Sequence, residues 1–257
     1  RIKITKNSET IMNIIISGYG KMGKMVETEA LKAGDCIVAK IDSKEDWAKY
    51  DFEAIVARGN VAAIDFSTPQ SVVANIEECF KRNIPIVVGT TGWYNEKERL
   101  KELCQSKNQS MFWASNFSIG VFLFNKMNIW LAKLMNSYSQ YSPSMSETHH
   151  VHKLDAPSGT AITLAENLIE NYHGKTKWQL GESSDKDTLC INAIRQGEVC
   201  GIHEVKYESP FDEITIRHEA KTRAGFALGA VTAAHWLADK KGFFTMSDML
   251  DQMSEVI

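Results

Sequence analysis

The chain reads as an α/β protein of two domains, the first with a parallel sheet covered by helices. The second is α+β, with a mixed, mostly antiparallel sheet. Three observations predict this. From Asn13 to about Phe117, short apolar runs bounded by polar or turn residues alternate with helical patterns, as buried parallel strands do. A glycine-rich turn joins the first run to the first helical stretch. Beyond Phe117 the segments alternate in polarity, which suits antiparallel strands with one face buried.

In order, Asn13 to Ser17 is a strand, Lys21 to about Ala33 a helix and Cys36 to Ile41 a second strand. Val61 to Phe66, Ile84 to Val88 and Met111 to Ala114 are further strands, with helical patterns near 69–82 and 94–107. A long apolar helix is expected over about 118–136, then strands at Ser144 to Val151, Leu189 to Gln196, Val199 to Tyr207 and Glu213 to Ala220. One helix, from about Ser158 to Tyr172, interrupts them. The closing segment from about 225 reads as helical and is assigned back to the first domain. The expected domains are thus 12–117 with 224–257, and 118–223. Residues 1–11 are polar ahead of Met12 and are set aside as an N-terminal extension.

With 257 residues, 44% of them hydrophobic, the chain can bury a sizeable core. Its formal net charge of -3 supplies no field for nucleic acid or an anionic membrane. Five cysteines, odd in number and nowhere spaced as C-x-x-C, argue for a reducing compartment rather than a disulfide framework or zinc ribbon. No apolar run reaches the ~18 residues of a membrane span, and no signal-peptide core is evident. The expectation is a cytoplasmic protein with a small-molecule ligand, an anionic one being held by local positive charge.

Gly18-Tyr19-Gly20-Lys21-Met22-Gly23 is a G-x-G-x-x-G between a predicted strand and a predicted helix. The first glycine permits the tight turn, the second lets a pyrophosphate approach the backbone, and the third lets helix pack on strand. The helix N-terminus then offers unpaired N–H groups to the phosphates. Asp42 ends the second strand 19 residues beyond Gly23, where an acid accepts hydrogen bonds from the adenosine ribose. This context outweighs a purely structural turn and defines a Rossmann-type dinucleotide-binding domain. Asp42 favours NADH over a 2′-phosphorylated coenzyme, although Lys44 is placed to offset that repulsion, so NADH and NADPH both stay open.

The densest chemistry lies in Glu147-Thr148-His149-His150-Val151-His152-Lys153-Leu154-Asp155-Ala156-Pro157-Ser158-Gly159-Thr160. Three of the seven histidines fall within four positions. With 146–151 as a strand, His150 and His152 face one side and His149 the other. Pro157-Ser158 introduces a helix, with Ser158 or Thr160 available as N-cap. Histidines, a lysine and an open helix end together suit a small carboxylate-bearing anion. A charge-assisted hydrogen bond contributes ~1.5–3 kcal/mol and a helix dipole ~0.3–1 kcal/mol. Lys153 should therefore dominate binding, with Ser158, Gly159 and Thr160 fixing orientation. A metal site competes poorly, since no H-E-x-x-H and no nearby cysteine is present.

The Lys-Met-Gly ending of the glycine loop, Gly89-Thr90-Thr91-Gly92, Ser115-Asn116-Phe117-Ser118-Ile119-Gly120 and the E-x-H-H-x-H-K-x-D-A-P-S-G-T block occur in that order. With Arg223-Ala224-Gly225-Phe226 near the end, the chain from about Asn13 onward resembles the 4-hydroxy-tetrahydrodipicolinate reductase (dihydrodipicolinate reductase) family. Two departures are visible: the glycine loop is one residue shorter than in many members, and the stretch between Asp42 and Ile64 is short. The resemblance implies NAD(P)H-dependent reduction of a cyclic conjugated imine dicarboxylate in lysine and diaminopimelate biosynthesis. It implies that Gly18, Gly20, Lys21, Met22 and Gly23 line the pyrophosphate and that Asp42 holds the ribose. Gly89, Thr90, Thr91, Ser115, Asn116 and Phe117, with Arg223 and Phe226, fall on the nicotinamide side. His149 matches a general acid and Lys153 its partner, while His150, Lys153, Ser158, Gly159 and Thr160 match substrate contacts. No metal is implied, and a homotetramer built through the second domain is. Another two-domain amino-acid-pathway dehydrogenase, a non-catalytic NAD(P)H sensor and a zinc-dependent hydrolase are the competing classes.

Overall fold

The computed structural model describes residues 11–253; of the N-terminal extension, only Ile11 lies among them. The chain divides into two compact units, one running to Ser118 and resuming at Ala224, the other spanning Ile119–Arg223.

In the first unit, β1 (Asn13–Ser17), β2 (Cys36–Ile41), β3 (Val61–Asp65), β4 (Ile86–Val88), β5 (Ser110–Trp113) and β11 (Gly242–Phe244) form one sheet in the order β11-β5-β4-β3-β1-β2. Every pairing in it is parallel. The central strands β1, β3 and β4 are buried on both faces, so their sequences are near-continuous apolar runs rather than alternating ones. The winding reverses between β1 and β3, which makes the carboxyl ends of these strands the ligand-binding edge of such a sheet. Helices α1 (Lys21–Ala33) and α7 (Ala224–Leu237) pack on each other, and α7 lies against β3, β4 and β5. Ala227, Gly229, Ala230, Ala233 and Ala234 of α7 are buried, small residues that allow close approach. Helices α2 (Phe52–Ala57), α3 (Val72–Lys81) and α4 (Lys97–Ser106) serve a core that includes Ile15, Ile76, Val88, Leu100 and Met111.

Two features depart from the expected elements. The closing segment contains strand β11 ahead of α8 (Met246–Met253) rather than being helical throughout. The stretch after Asp42 carries a 3-10 turn, Lys44–Ala48, as well as α2. Both are too short for a periodicity to be read.

The second unit holds α5 (Ile119–Met135), β6 (Ser142–His149), α6 (Gly159–Asn171), β7 (Lys177–Leu180), β8 (Thr188–Arg195), β9 (Ile202–Glu208) and β10 (Glu213–Glu219). Its sheet runs β10-β9-β6-β8-β7. The antiparallel pairs β10–β9 and β9–β6 each match seven residue pairs, against five and four in the parallel pairs β6–β8 and β8–β7. The sheet is thus mixed and mostly antiparallel. Along β6 the burial alternates, with Pro143, Met145, Glu147 and His149 turned inward. That face packs under α5 and α6 through Phe124, Leu131, Leu164, Leu168, Ile191, Val205 and Tyr207. Each such buried side chain contributes roughly 1.5–3 kcal/mol. Glu147 and His149 thereby share a face with a hydrophobic core.

Candidate active site

The carboxyl edge of the parallel sheet carries most of the residues expected to hold a coenzyme. Gly18 follows β1 at φ 83°, and a Cβ there would lie 2.4 Å from the Phe66 carbonyl oxygen. Gly23 is just as constrained, because its Cβ would sit 2.1 Å from the Gly18 oxygen. These two glycines shape the turn and pack helix on strand, as expected from the motif. Gly20 differs: a Cβ there meets nothing within 4 Å, so the backbone faces open space. Gly20 is also the N-cap of α1, which has neither a side-chain cap nor an acid in its first turn. Lys21 and Met22 open that helix. Uncapped N–H groups beside an open glycine form a cradle fit for a pyrophosphate.

Asp42 is exposed, and its Oδ1 accepts the Tyr19 N–H at 2.8 Å. The Asp46 carboxylate receives the N–H groups of Asp42 and Ser43 at 2.8 Å each. The acid is therefore tied to the glycine loop and held from behind. Lys44 is exposed and lies 3.9 Å from Glu45.

Thr90 is buried after β4, Thr91 exposed and Gly89 half-buried. After β5 come exposed Ser115, half-buried Asn116 and buried Phe117. Phe117 packs on Phe66 and Phe112, with centroids 6.0 and 5.8 Å away. A Cβ on Gly229 would meet its carbonyl oxygen at 1.8 Å. Phe226 lies in the first turn of α7 in the same unit, whereas Arg223 closes the other unit.

In the second unit the histidine block does not run on as a strand. β6 stops at His149, and Lys153 N–H closes a turn onto the His150 carbonyl at 3.1 Å. His150 and His152 nonetheless stay neighbours, with ring centroids 6.1 Å apart. His150 and Lys153 are half-buried, and Gly159 is exposed at the start of α6. Ser158 caps that helix, its Oγ accepting Ala161 N–H at 3.2 Å, and Thr160 follows in the first turn. Lys153 Nζ donates to both oxygens of Asp155 at 2.8 Å.

Three unexpected residues complete this centre. Glu147, fully buried, stands opposite His203 in the β6–β9 register. Its carboxylate accepts the Ser158 N–H at 3.1–3.2 Å and Arg195 Nη2 at 3.1 Å. His149 Nδ1 lies 3.5 Å from the same carboxylate. Arg195 also donates to the carbonyls of Lys153 and Asp155, which staples the turn to the strand. Burial alone would raise the Glu147 carboxyl, but hydrogen bonds from Ser158, the charge of His149 and a hydrogen bond from Arg195 hold it below its ordinary value. Burial pushes His149 down; Glu147 opposes that, while Lys153 and Arg195 add to it. Burial and neighbouring His149 bring His203 down to about 4. Glu147, His149 and His203 also place three ligand atoms within 4.8 Å of one another, but Arg195 already neutralises that carboxylate. Glu147 was within reach of the sequence, two residues before His149 on one strand face. Arg195 and His203 had no local signal, because only strand register brings them here.

A coenzyme cradle at a parallel sheet edge, with a buried carboxylate–histidine pair beside a lysine on a second unit, defines a two-unit NAD(P)H-dependent oxidoreductase. Family models match both parts: "Dihydrodipicolinate reductase, N-terminus" over residues 12–117 and "Dihydrodipicolinate reductase, C-terminus" over 120–250. The chain belongs to the dihydrodipicolinate reductase family. It is 45% identical over 243 residues to the 4-hydroxy-tetrahydrodipicolinate reductase of Christiangramia forsetii, covering 94% of this chain and 99% of that protein. The Oleidesulfovibrio alaskensis protein of the same name is 33% identical, covering 92% and 98%. Among solved structures, the dipicolinate-bound dihydrodipicolinate reductase of Paenisporosarcina sp. TG-14 shares the fold, with TM-score 0.72 at 22% identity, covering 93% and 99%. An amine dehydrogenase of Mycobacterium smegmatis shares it more loosely, with TM-score 0.55 at 11% identity, covering 92% and 95%.

Proposed function

We propose that the protein reduces 4-hydroxy-tetrahydrodipicolinate to tetrahydrodipicolinate with NADH or NADPH, in lysine and diaminopimelate biosynthesis. The observation that carries this reading is the placement of His149 against buried Glu147 with Lys153 on the following turn. Membership of the reductase family supports it.

Loss of the 4-hydroxyl with a ring proton as water leaves the conjugated imine; the nicotinamide, when bound, would supply the hydride that adds to the ring carbon conjugated with it. Electron density then moves to the ring nitrogen, and His149 delivers the proton. Lys153 stabilises the developing charge and clamps a carboxylate, exchanging Asp155 for the substrate. His150 and the Ser158–Thr160 turn orient the dicarboxylate at the start of α6. The glycine loop cradles the pyrophosphate, and Asp42 takes the ribose hydroxyls. Asp42 favours NADH, while exposed Lys44, 3.9 Å from Glu45, leaves NADPH open. Copies associate into a homotetramer through the sheet face of the second unit that α5 and α6 leave uncovered, which carries Thr148, Ile194 and Ile202. No helix among the described residues is long and apolar enough to cross a membrane; the cytoplasmic location is proposed with the family reading.

The test is oxidation of NADH and NADPH by the purified protein, with substrate generated in place by the preceding synthase. A positioned general acid contributes ~10²–10⁴-fold, so His149→Gln lowers kcat by about that factor with little change in KM. Lys153→Ala damages both. Small, equal effects at the two positions would remove the assignment, and coenzyme binding without turnover would favour a sensor.

A further inference from the structure

We infer that Asp65 is a positioning residue for the coenzyme, one carboxylate that clamps together the loops at the switch point of the parallel sheet; this rests on the coenzyme reading above. Asp65 ends β3 and is fully buried. It pairs in register with Ser17 on β1 and Val88 on β4. Five hydrogen bonds converge on it. Oδ1 accepts Ser67 N–H at 3.1 Å, Ser67 Oγ–H at 2.8 Å and Thr90 Oγ–H at 2.6 Å. Oδ2 accepts Ser17 Oγ–H at 2.6 Å and Asn75 Nδ2–H at 3.0 Å.

Each donor belongs to a segment that shapes the coenzyme edge. Ser17 directly precedes Gly18, and Thr90 sits in the Gly89–Thr91 loop. Ser67 follows Phe66, whose carbonyl abuts Gly18. Asn75 passes the connection on, its Oδ1 accepting Trp47 Nε1–H at 3.1 Å. Trp47 belongs to the 3-10 turn behind Asp42.

Among the described residues no lysine, arginine or histidine forms an ion pair with Asp65. Burying a carboxylate without a cation is costly, and an apolar side chain of similar size at such a site is often neutral or stabilising. Burial alone therefore gives no reason for an acid here; holding three loops in register does. The requirement is strict, because each carboxylate oxygen faces a fixed donor: Ser67 N–H on one side, and on the other Asn75 Nδ2–H, whose amide is held in this orientation by Trp47 Nε1–H donating to its Oδ1. An asparagine at this position turns its NH2 onto one of them in either orientation.

The experiment titrates NADH against wild type and Asp65→Asn, with steady-state kinetics in which coenzyme and dicarboxylate are varied separately. Asp65→Asn should raise the Kd and KM for NADH about ten- to a hundredfold. The dicarboxylate KM should be unchanged and Vmax at saturating coenzyme retained within a few-fold. A merely structural role predicts a smaller active fraction, so loss confined to Vmax with both KM values unchanged would overturn the inference, as would a Kd within twofold of wild type. Should Asp65→Asn fail to fold, Ser17→Ala with Ser67→Ala removes two hydroxyl donors outside the proposed coenzyme contacts and keeps the acid; a Kd raised three- to tenfold supports the clamp, and an unchanged Kd overturns it. A wild type that binds neither coenzyme overturns the underlying reading and the inference with it, a loss visible before any substitution.

Discussion

The carboxylate of Glu147 lies 3.5 Å from Nδ1 of His149, two residues further along the same face of β6. Burial depresses His149 overall and the Glu147 charge opposes that shift in part, so the carboxylate favours the protonated ring that the proposed role requires. Glu147→Gln removes the opposing charge and lowers the His149 value further. Because the protonated ring is the active form, kcat/KM falls as pH rises past that value. The fall should therefore begin at lower pH in the variant. An unshifted pH profile would separate Glu147 from the acid.

Gly20 and Gly23 are both motif glycines with opposite surroundings. Gly23→Ala forces its Cβ onto the Gly18 oxygen, and thermal denaturation should show a large loss of stability. Gly20→Ala meets no protein atom, so stability should stay within about 0.5 kcal/mol of wild type. Its added methyl occupies space assigned to the pyrophosphate, and the Kd for NADH should rise at least tenfold. Equal NADH affinity would move the phosphate site elsewhere.

His203 should make the protein acid-sensitive. Its folded value of about 4 lies below the ~6.5 of an unfolded histidine. Between those values the unfolded chain binds more protons, so this contribution is complete above pH ~6.5 and is lost as pH falls towards 4. It amounts to roughly 2–4 kcal/mol. Denaturant titrations across that window should fall less steeply for His203→Gln than for wild type; parallel curves would refute the assignment.

Lys153 donates to both oxygens of Asp155, an intramolecular carboxylate that the dicarboxylate displaces under the proposed mechanism. Exposed pairs of this kind contribute ~0.2–1 kcal/mol. Asp155→Asn should lower the dicarboxylate KM by up to about fivefold, the Arg195 contact to the Asp155 main chain being unaffected. A raised KM would mean that Asp155 orients Lys153 rather than competing for it.

Much of this fold is written in local pattern. A buried strand, a glycine turn and an amphipathic helix follow one another within about twenty residues, so β1, the loop and α1 were legible together. The E-x-H-H-x-H-K block marked His149 and Lys153 because rare residue types crowd there. Local pattern was weaker where elements are short. Neither β7, whose Lys177–Leu180 is largely exposed, nor β11 has an apolar rhythm of its own; each exists because a neighbouring strand pairs with it. The strand expected to reach Val151 ends at His149, since Val151 N–H bonds to the Gly197 carbonyl while the chain turns towards α6.

The sequence by itself marked the residues proposed to carry the chemistry: the glycine loop, Asp42, the histidines and Lys153 are contiguous or regularly spaced. Only the tertiary structure decided what surrounds them. Arg195 and His203 reach Glu147 from 48 and 56 positions away through strand register, and Asp65 gathers Ser17, Asn75 and Thr90 from three segments of the chain. Periodicity records how a residue sits within its own element. Pairing between elements is set by packing over the whole domain, and no short stretch of sequence encodes it.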